Sequence, residues 1–170
     1  KRNFTRLELS PEELAKAVLG YYNRGLVNGL FLSSGISSDV DTTMENQIEC
    51  VNILRKKYGY DDYIHLKIVP GASKDSIKRA MALANRVSIN IEAATPSGLA
   101  ELTSTKDYNK DILKRLSWIN SFENKSTTYP NSTHTTQLIV GANDESDREI
   151  LSRMKKIYKK SDLKRTYFSA

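Results

Sequence analysis

Short apolar runs rich in β-branched residues alternate with charged, amphipathic segments along the whole 170-residue chain. The apolar runs predict strands near residues 30–32, 63–69, 86–92, 136–141 and 163–169. The segments around them predict helices over residues 10–22, 43–58, 73–85, 95–102, 109–122 and 146–160. Strands separated by whole helices need crossover connections, so the pattern predicts an α/β fold with a parallel sheet.

The alternation is cut at both ends of the chain. A helix comes before the first predicted strand, and no helix follows the last one. A closed eight-stranded barrel takes about 250 residues, more than the chain has. Two architectures therefore remain open: an open, doubly wound sheet, or the middle part of a larger barrel.

Composition narrows the class of protein. Apolar residues make up 39% and charged residues 27% of the chain, which fits one globular domain and excludes disordered, collagen-like and coiled-coil proteins. No run approaches the about 18 apolar residues of a membrane helix, and residues 1–5 show no signal-peptide pattern. We therefore expect no membrane partner and a cytoplasmic location. The single Cys50 fits a reducing compartment and excludes an internal disulfide or a Cys-only metal site built from this chain.

Polar residues follow the predicted strands at the edge where parallel α/β sheets bind ligands. The residues at this edge, most of them polar, are Ser33, Ser34, Gly35, Lys67, Pro70, Asn90, Glu92, Gln137, Gly141, Asn143, Glu145, Tyr167 and Ser169. Because side chains alternate along a strand, Ser88, Asn90 and Glu92 are predicted to share one face. That face either points into a barrel lumen or belongs to a solvated edge strand.

Lys67 lies in a strand that otherwise looks buried, where an unpaired ammonium is costly. Two hypotheses explain it: a simple ion pair with Glu92, or contact with a ligand. The alternation places His65 on the same face, where a packing role is the more common one. His134 comes just before a predicted strand and is expected to be exposed.

The net charge of +6 is concentrated late in the chain. The cations are Arg153, Lys155, Lys156, Lys159, Lys160, Lys164 and Arg165. Such a cluster is either a solvated helix face or a phosphate-backbone footprint, so nucleic acid stays open as a partner. The sequence contains no dinucleotide fingerprint, P-loop, nucleophile elbow or zinc-protease motif.

Five segments together, spread through nearly the whole chain in order, resemble one family. They are residues 29–35, 63–67 with 70–71, 88–92, 136–142 with 145–147, and 167–170. On these segments the chain resembles the radical S-adenosylmethionine (SAM) enzymes, in particular their DNA modification/repair group. The resemblance implies that residues 1–170 are an incomplete core, about strands two to six of a partial (β/α)6 TIM-like barrel.

The resemblance also implies a chemistry. Family members hold a [4Fe–4S] cluster in a Cys-x3-Cys-x2-Cys loop and cleave SAM reductively, with a reductant such as flavodoxin or ferredoxin. The 5′-deoxyadenosyl radical then abstracts hydrogen from a substrate, which is unknown in this case. The chain is expected to begin just after that loop, so the cluster ligands are not in it and the chain as given is expected to be inactive.

The family's SAM contacts carry over to particular positions. Ser33, Ser34 and Gly35 occupy the place of a Gly-Gly-Glu motif that receives the methionyl amine, although the acidic residue is missing. Asn90 and Glu92 match positions that face the SAM ribose or carboxylate. The resemblance implies further contacts at Lys67, Gln137, Gly141 and Tyr167. It assigns no catalytic residue and no metal ligand within the chain.

Two other classes of function stay open. One is a cluster-independent α/β barrel enzyme that acts on a small phosphorylated or carbonyl substrate, with Lys67 and Glu92 as its working pair. The other is a non-catalytic nucleic-acid-binding module that uses the basic last helix.

Overall fold

The computed structural model describes residues 8–125 and 132–170, with only the backbone described at positions 124 and 125. Five parallel strands form one sheet in the order β1-β2-β3-β4-β5. They are β1 Gly29–Leu32, β2 Tyr63–Lys67, β3 Arg86–Ser88, β4 Thr133–Ile139 and β5 Arg165–Ser169. The strand order never reverses, whereas a doubly wound sheet has a reversal point. The fold is therefore α/β, with the topology of a portion of a parallel TIM-like barrel.

Six α-helices connect or precede these strands. They are α1 Pro11–Asn23, α2 Val40–Asn52, α3 Lys74–Leu83, α4 Pro96–Leu102, α5 Lys114–Lys125 and α6 Asp147–Lys160. One π-helical segment, Ile53–Lys57, continues α2, and another, Tyr108–Leu113, leads into α5. The predicted helices are all present, with bounds that differ by a few residues.

Side-chain caps fix several helix starts. Ser10 and Glu13 form a capping box at α1, in which the Ser10 amide donates to the Glu13 carboxylate over 2.9 Å. Asp39 caps α2 by accepting from the Thr42 amide at 2.8 Å. This cap starts α2 at Val40, three residues before the predicted Thr43, because a carboxylate is one of the best N-cap groups.

The helices cover one face of the sheet, where the core lies. Every second side chain of the strands points there, and those of the central strands are fully buried, as Ile64, Leu66 and Val87 show. The helices add Met44, Ile48, Leu54, Ile77, Ile112 and Ile119. Cys50 is also buried in α2, as a free thiol. Burying each large aliphatic side chain stabilises the fold by about 2 kcal/mol.

The end of β3 differs from the prediction. The strand was predicted to reach Glu92, but its regular pairing ends at Ser88 and resumes only as an isolated bridge between Glu92 and Leu138. In the gap, the Thr136 hydroxyl donates to the Ile89 carbonyl over 2.7 Å and accepts from the Ile91 amide over 3.2 Å. A side chain thus replaces the backbone hydrogen bonds between β3 and β4 at this point. The alternation of side chains along a strand does not predict such a replacement.

The start of β4 also corrects an expectation. The strand begins at Thr133, three residues before the predicted Thr136, and His134 is fully buried within it rather than exposed. The imidazole Nδ1 makes a hydrogen bond with the Glu123 carboxylate of α5. Because Glu123 supplies a hydrogen-bond partner for the buried imidazole, the polar segment that begins β4 can be buried. Residues 126–131, between α5 and β4, lie outside the described residues.

Candidate functional site

A cavity of about 330 Å³ opens at the carboxyl edge of the sheet. It is lined by Ser33, Ser34, Gly35, Ile36, Lys67, Ile68, Val69, Pro70, Asn90, Glu92 and Lys106. Six of the nine residues predicted to contact SAM lie in this one wall. The loops after β1, β2 and β3 supply them, which is the edge at which parallel sheets bind ligands.

The loop after β1 is held against β2 by α2. When the buried Gln47 amide is oriented to satisfy both neighbours, its nitrogen donates to the Lys67 carbonyl at 3.1 Å. Its oxygen then accepts from the Ser34 amide at 3.0 Å. The Ser34 hydroxyl donates to the Gly35 carbonyl at 2.7 Å. This loop therefore offers hydroxyls and backbone groups to the cavity, and no carboxylate.

Lys67 ends β2 and lines the same cavity as Glu92. The predicted ion pair between them is wrong, because no carboxylate of the described residues lies within 4.0 Å of the Lys67 ammonium. The ammonium thus stands in the cavity wall without a charged partner. Of the two hypotheses for Lys67, the simple ion pair is excluded.

The gap at the end of β3 shapes the next part of the wall. Glu92 has a φ of +61°, in the left-handed region that non-glycine residues rarely adopt. Its amide and carbonyl are nevertheless held by Gln137 and Ile139, at 3.0 and 2.8 Å. Residues fixed in such a conformation cost about 1 kcal/mol or more and concentrate at functional sites. The backbone conformation therefore supports a functional role for Glu92.

Gln137 extends the polar wall toward β5. The Asn90 amide nitrogen lies 3.5 Å from the Gln137 Oε1, and the Gln137 Nε2 donates to the Ser169 hydroxyl at 2.9 Å. One chain of amides and hydroxyls thus runs from the segment after β3 to β5, through Asn90, Gln137 and Ser169. This chain joins the cavity to the second half of the sheet.

Gln137 and the other two predicted contacts lie outside the cavity wall. Tyr167 stands on β5, 39% exposed, with the Arg165 guanidinium 5.7 Å from its ring centre. Gly141 lies in the exposed turn after β4, with a φ of +79° and open space where a side chain would be. Lys106 and Ile36 line the cavity without having been predicted, because they lie in irregular segments with no periodic signal.

Glu145 braces the loop between β3 and α4. Its carboxylate accepts from the Ala94 amide at 2.8 Å, and from the amide and hydroxyl of Thr95 at 2.6 Å each. A β-carbon at Gly98 would overlap this carboxylate, so the small residue lets the brace form. The sequence pattern places Glu145 among the strand-end residues and does not indicate this bracing role.

Two arginines and a tyrosine hold backbone carbonyls of the same edge. Arg115 donates to the Gly71 and Ala72 carbonyls after β2, at 2.6 and 2.9 Å. Arg153 donates to the Ala94 carbonyl at 2.6 Å, and the Tyr108 hydroxyl lies 3.1 Å from the same oxygen. Burial raises the pKa of Tyr108 to about 12, so it stays a donor. The loops around the cavity are thus fixed before any ligand binds.

His65 lies deeper in the sheet, between the cavity and the opposite edge. Its Nε2 is 2.9 Å from the Ser88 hydroxyl, and its ring stacks at a tilt on Phe31 with 4.7 Å between ring centres. Burial, together with the smaller effect of the Arg86 and Lys67 charges, lowers the pKa of His65 to about 4. The imidazole is therefore neutral at physiological pH.

The described residues do not provide a metal centre. They contain no group of three or more His, Cys, Asp and Glu side chains that could hold an ion. Burial raises the pKa of the Cys50 thiol to about 11, away from the thiolate that ligates iron. Residues of this chain therefore do not fit a [4Fe–4S] cluster.

The described helices are also too short or too polar to cross a membrane.

The basic cluster borders a second cavity. Arg153, Lys156 and Lys160 line this cavity of about 320 Å³ between α5 and α6. Arg153 also makes a structural contact, because it donates to the Ala94 carbonyl and its guanidinium lies 5.2 Å from the Tyr108 ring centre. The nucleic-acid footprint stays a prediction from the charge of the cluster.

Together, the parallel sheet and the cavity at its carboxyl edge define an open TIM-barrel-like fold. No protein family matches the sequence in a profile search, and no curated protein matches it. Among solved structures, the chain is similar to the FeFe-hydrogenase maturase HydG from Carboxydothermus hydrogenoformans, with a TM-score of 0.69 and 16% identity. The match covers 97% of this chain and 38% of HydG. At this identity the similarity shows the fold.

Proposed function

We propose that residues 1–170 form the SAM-binding part of a radical SAM core, whose barrel is completed outside this chain. The observation that carries the proposal is the gathering of Ser33–Gly35, Lys67, Asn90 and Glu92 in one cavity wall. The fold of HydG, which is a radical SAM enzyme, supports the same assignment. The sequence resemblance and the fold similarity are separate observations that agree.

The donor set of the cavity suits the groups of SAM. The ligand carries an ammonium, a carboxylate, a sulfonium and ribose hydroxyls, so it needs both acceptors and cations. Glu92 and the backbone carbonyls of residues 33–35 supply acceptors, while Lys67 and Lys106 supply cations for the carboxylate. Ile36 and Val69 add apolar surface. In this proposal, Gln137, Gly141 and Tyr167 extend the site toward the adenine.

The radical chemistry needs more than this chain contains. SAM supplies a 5′-deoxyadenosyl group when a cluster reduces it, and three Cys ligands and an external reductant belong to that step. The sequence contains one Cys, which is buried in α2, so we derive no cleavage step from these residues. Flavodoxin or ferredoxin as reductant, a cytoplasmic location and a DNA-related substrate remain expectations from the family resemblance.

Calorimetric titration of SAM and S-adenosylhomocysteine into the chain tests the binding part of the proposal. We expect both ligands to bind, and Glu92→Gln to weaken SAM binding by about tenfold, because one charge-assisted hydrogen bond is lost. Glu101→Gln, which changes an exposed carboxylate of α4, serves as the matched control. Equal affinities of the two variants, or no binding by the wild type, would overturn the assignment.

A second experiment tests the radical part. The complete gene product is reconstituted with iron and sulfide without oxygen, reduced with dithionite and assayed for 5′-deoxyadenosine. We expect product from the wild type and a strong loss with Glu92→Gln. Absence of product from a cluster-loaded protein would contradict the radical assignment, even where SAM binds. Turnover of a sugar phosphate without iron would favour the cluster-independent enzyme.

A further inference from the structure

The sheet face opposite the helices, which we call the inner face, carries cations that have no acidic partner. The inner face includes Phe31, Tyr63, His65, Lys67, Arg86, Ser88, Thr135, Gln137, Arg165 and Tyr167. Register partners run from Lys67 through Ser88 and Thr135 to Arg165, so these residues share one level of the sheet. Arg86 pairs with His65 one level further from the cavity.

No carboxylate of the described residues lies within 4.0 Å of Lys67, Arg86 or Arg165. The residues outside the described part, 1–7 and 126–131, contain no Asp or Glu that could pair with them. The strand positions of the inner face hold these three cations and no Asp or Glu. The inner face is therefore a local excess of positive charge, which favours an anionic occupant.

Aromatic rings stand beside these cations and remain open. Phe31 is 60% exposed and Tyr63 is 41% exposed, although both point from strands of the sheet. The Arg86 guanidinium lies 5.7 Å from the centre of the Tyr63 ring, an arrangement that holds the cation in place without neutralising it. Exposed rings next to oriented guanidinium groups suit a ligand with a planar ring as well as a negative charge.

One polar group at the centre of the inner face has no partner. The Thr135 hydroxyl is buried, 1% of the residue being exposed, and makes no hydrogen bond among the described residues. It lies between Ser88 and Arg165 in the register. The Tyr60, Ser132 and Thr166 hydroxyls also lack a hydrogen bond within the described part, but Thr135 is the one that lies on the inner face. Since buried hydroxyls are nearly always satisfied, the Thr135 hydroxyl suits a hydrogen bond with a ligand there.

We propose that the inner face binds the substrate of this protein, and that the substrate is an organic anion with a planar ring, either an aromatic carboxylate or an aromatic phosphate ester. The inference rests on the proposed function, because it places the substrate beside the SAM cavity. Lys67 belongs to both sites, since it lines the cavity and stands in the cationic row. Arg86 and Arg165 belong to the inner face alone and can be tested separately from SAM.

Binding of small probes to the chain tests the proposal. Phenyl phosphate and benzoate are titrated by ligand-observed NMR, with neutral benzamide and inorganic phosphate as references. We expect one or both aromatic anions to bind at least about tenfold more tightly than benzamide, because charge-assisted hydrogen bonds are lost with the charge. Tighter binding of phenyl phosphate than of benzoate would identify the phosphate ester, and the reverse would identify the carboxylate. Equal affinities for the charged and neutral rings would overturn the proposal.

Variants locate the site. Arg86→Gln and Arg165→Gln are each expected to weaken the preferred probe by about tenfold, whereas Arg148→Gln, an exposed cation of α6, is the matched control and leaves it unchanged. Arg165 lies on an exposed strand end, so its variant keeps the test valid where Arg86→Gln fails to fold. Equal losses in all three variants would contradict the site. SAM titration of the same variants separates this outcome from failure of the proposed function.

Discussion

The two faces of the sheet are built from alternate residues of the same strands, yet they differ in almost every physical property. On the face that the helices cover, Ile64 and Leu66 are fully buried among aliphatic side chains. On the inner face, their neighbours His65 and Lys67 make polar contacts and line open space. Because side chains alternate along a strand, adjacent residues contribute either to the buried core or to the face that we propose binds ligands.

The two histidines show the same contrast. His134 points to the covered face, is fully buried and pairs with Glu123 of α5. His65 points to the inner face, where it contacts the Ser88 hydroxyl and the exposed Phe31 ring. The first fastens a helix to the sheet, and the second lies within the proposed substrate face.

Truncation on the covered face has the largest expected effect. Leu66→Ala removes a fully buried side chain and is expected to lower the free energy of unfolding by about 3 kcal/mol. Phe31→Ala on the inner face is expected to cost about 1 kcal/mol or less, since the larger part of that ring is already in water. Urea denaturation of both variants measures the difference. Similar losses would contradict the division between the faces.

Loss of the Glu145 brace is expected to come next. Glu145→Ala leaves the Ala94 and Thr95 amides without their acceptor, at a cost of about 2 kcal/mol. SAM binding is expected to weaken too, because the loop that follows Glu92 loses its support. Glu101→Gln is again the control. Denaturation and SAM titration measure the two effects, and an unchanged SAM affinity in a folded Glu145→Ala variant would contradict the bracing role.

The pH dependence of stability tests the environment of His65. Its pKa is lowered to about 4 in the folded chain, from an ordinary value of 6.5, so the unfolded chain binds a proton first as pH falls. Stability is therefore lost between pH 6.5 and about 4. With allowance for its partial exposure to solvent, we expect about 1 to 2 kcal/mol of this loss at pH 4.5.

The comparison is made with His65→Gln, which cannot titrate. Urea denaturation of wild type and variant at pH 7.5 and 4.5 gives the two pH dependences. The variant is expected to lose less stability on acidification than the wild type does. Identical losses would show that His65 is solvated like an ordinary surface histidine.

The smallest expected change in stability has the opposite sign. Glu92→Gly relieves a φ of +61° and is expected to stabilise the fold by about 0.5 kcal/mol, or at least to cost nothing. The same change removes the carboxylate and is expected to abolish measurable SAM binding. Glu92→Gln separates the two effects because it keeps the side-chain length. A marked destabilisation by glycine would mean that Glu92 is held for structural reasons.

Much of the fold follows from local pattern. Ser10 with Glu13, and Ser146 with Glu149, mark the starts of α1 and α6 through chemistry that acts within one helical turn. The early end of β3 could not be predicted, because it depends on the Thr136 hydroxyl, 45 residues along the chain from Ile91. Long-range side-chain substitution of this kind leaves no periodic signal.

The candidate site shows the same limit. Residues at predicted strand ends, such as Lys67 and Asn90, were found because parallel strands end at one edge. Lys106 was missed, since an irregular segment brings it to the cavity. The absence of an ion pair at Lys67 was also beyond prediction, because pairing depends on how the end of β3 turns Glu92. Sequence patterns therefore located the edge, and packing decided which side chains face the cavity.

Amide chemical-shift mapping of the isotope-labelled chain with S-adenosylhomocysteine tests directly whether the cavity at the carboxyl edge is the SAM site. If it is, we expect the largest shifts at Ser33–Gly35, Lys67 and Glu92, and little change at Lys156 and Ile157 in the cavity between α5 and α6. Shifts concentrated around Lys156 and Ile157, or no shifts at ligand saturation, would contradict it.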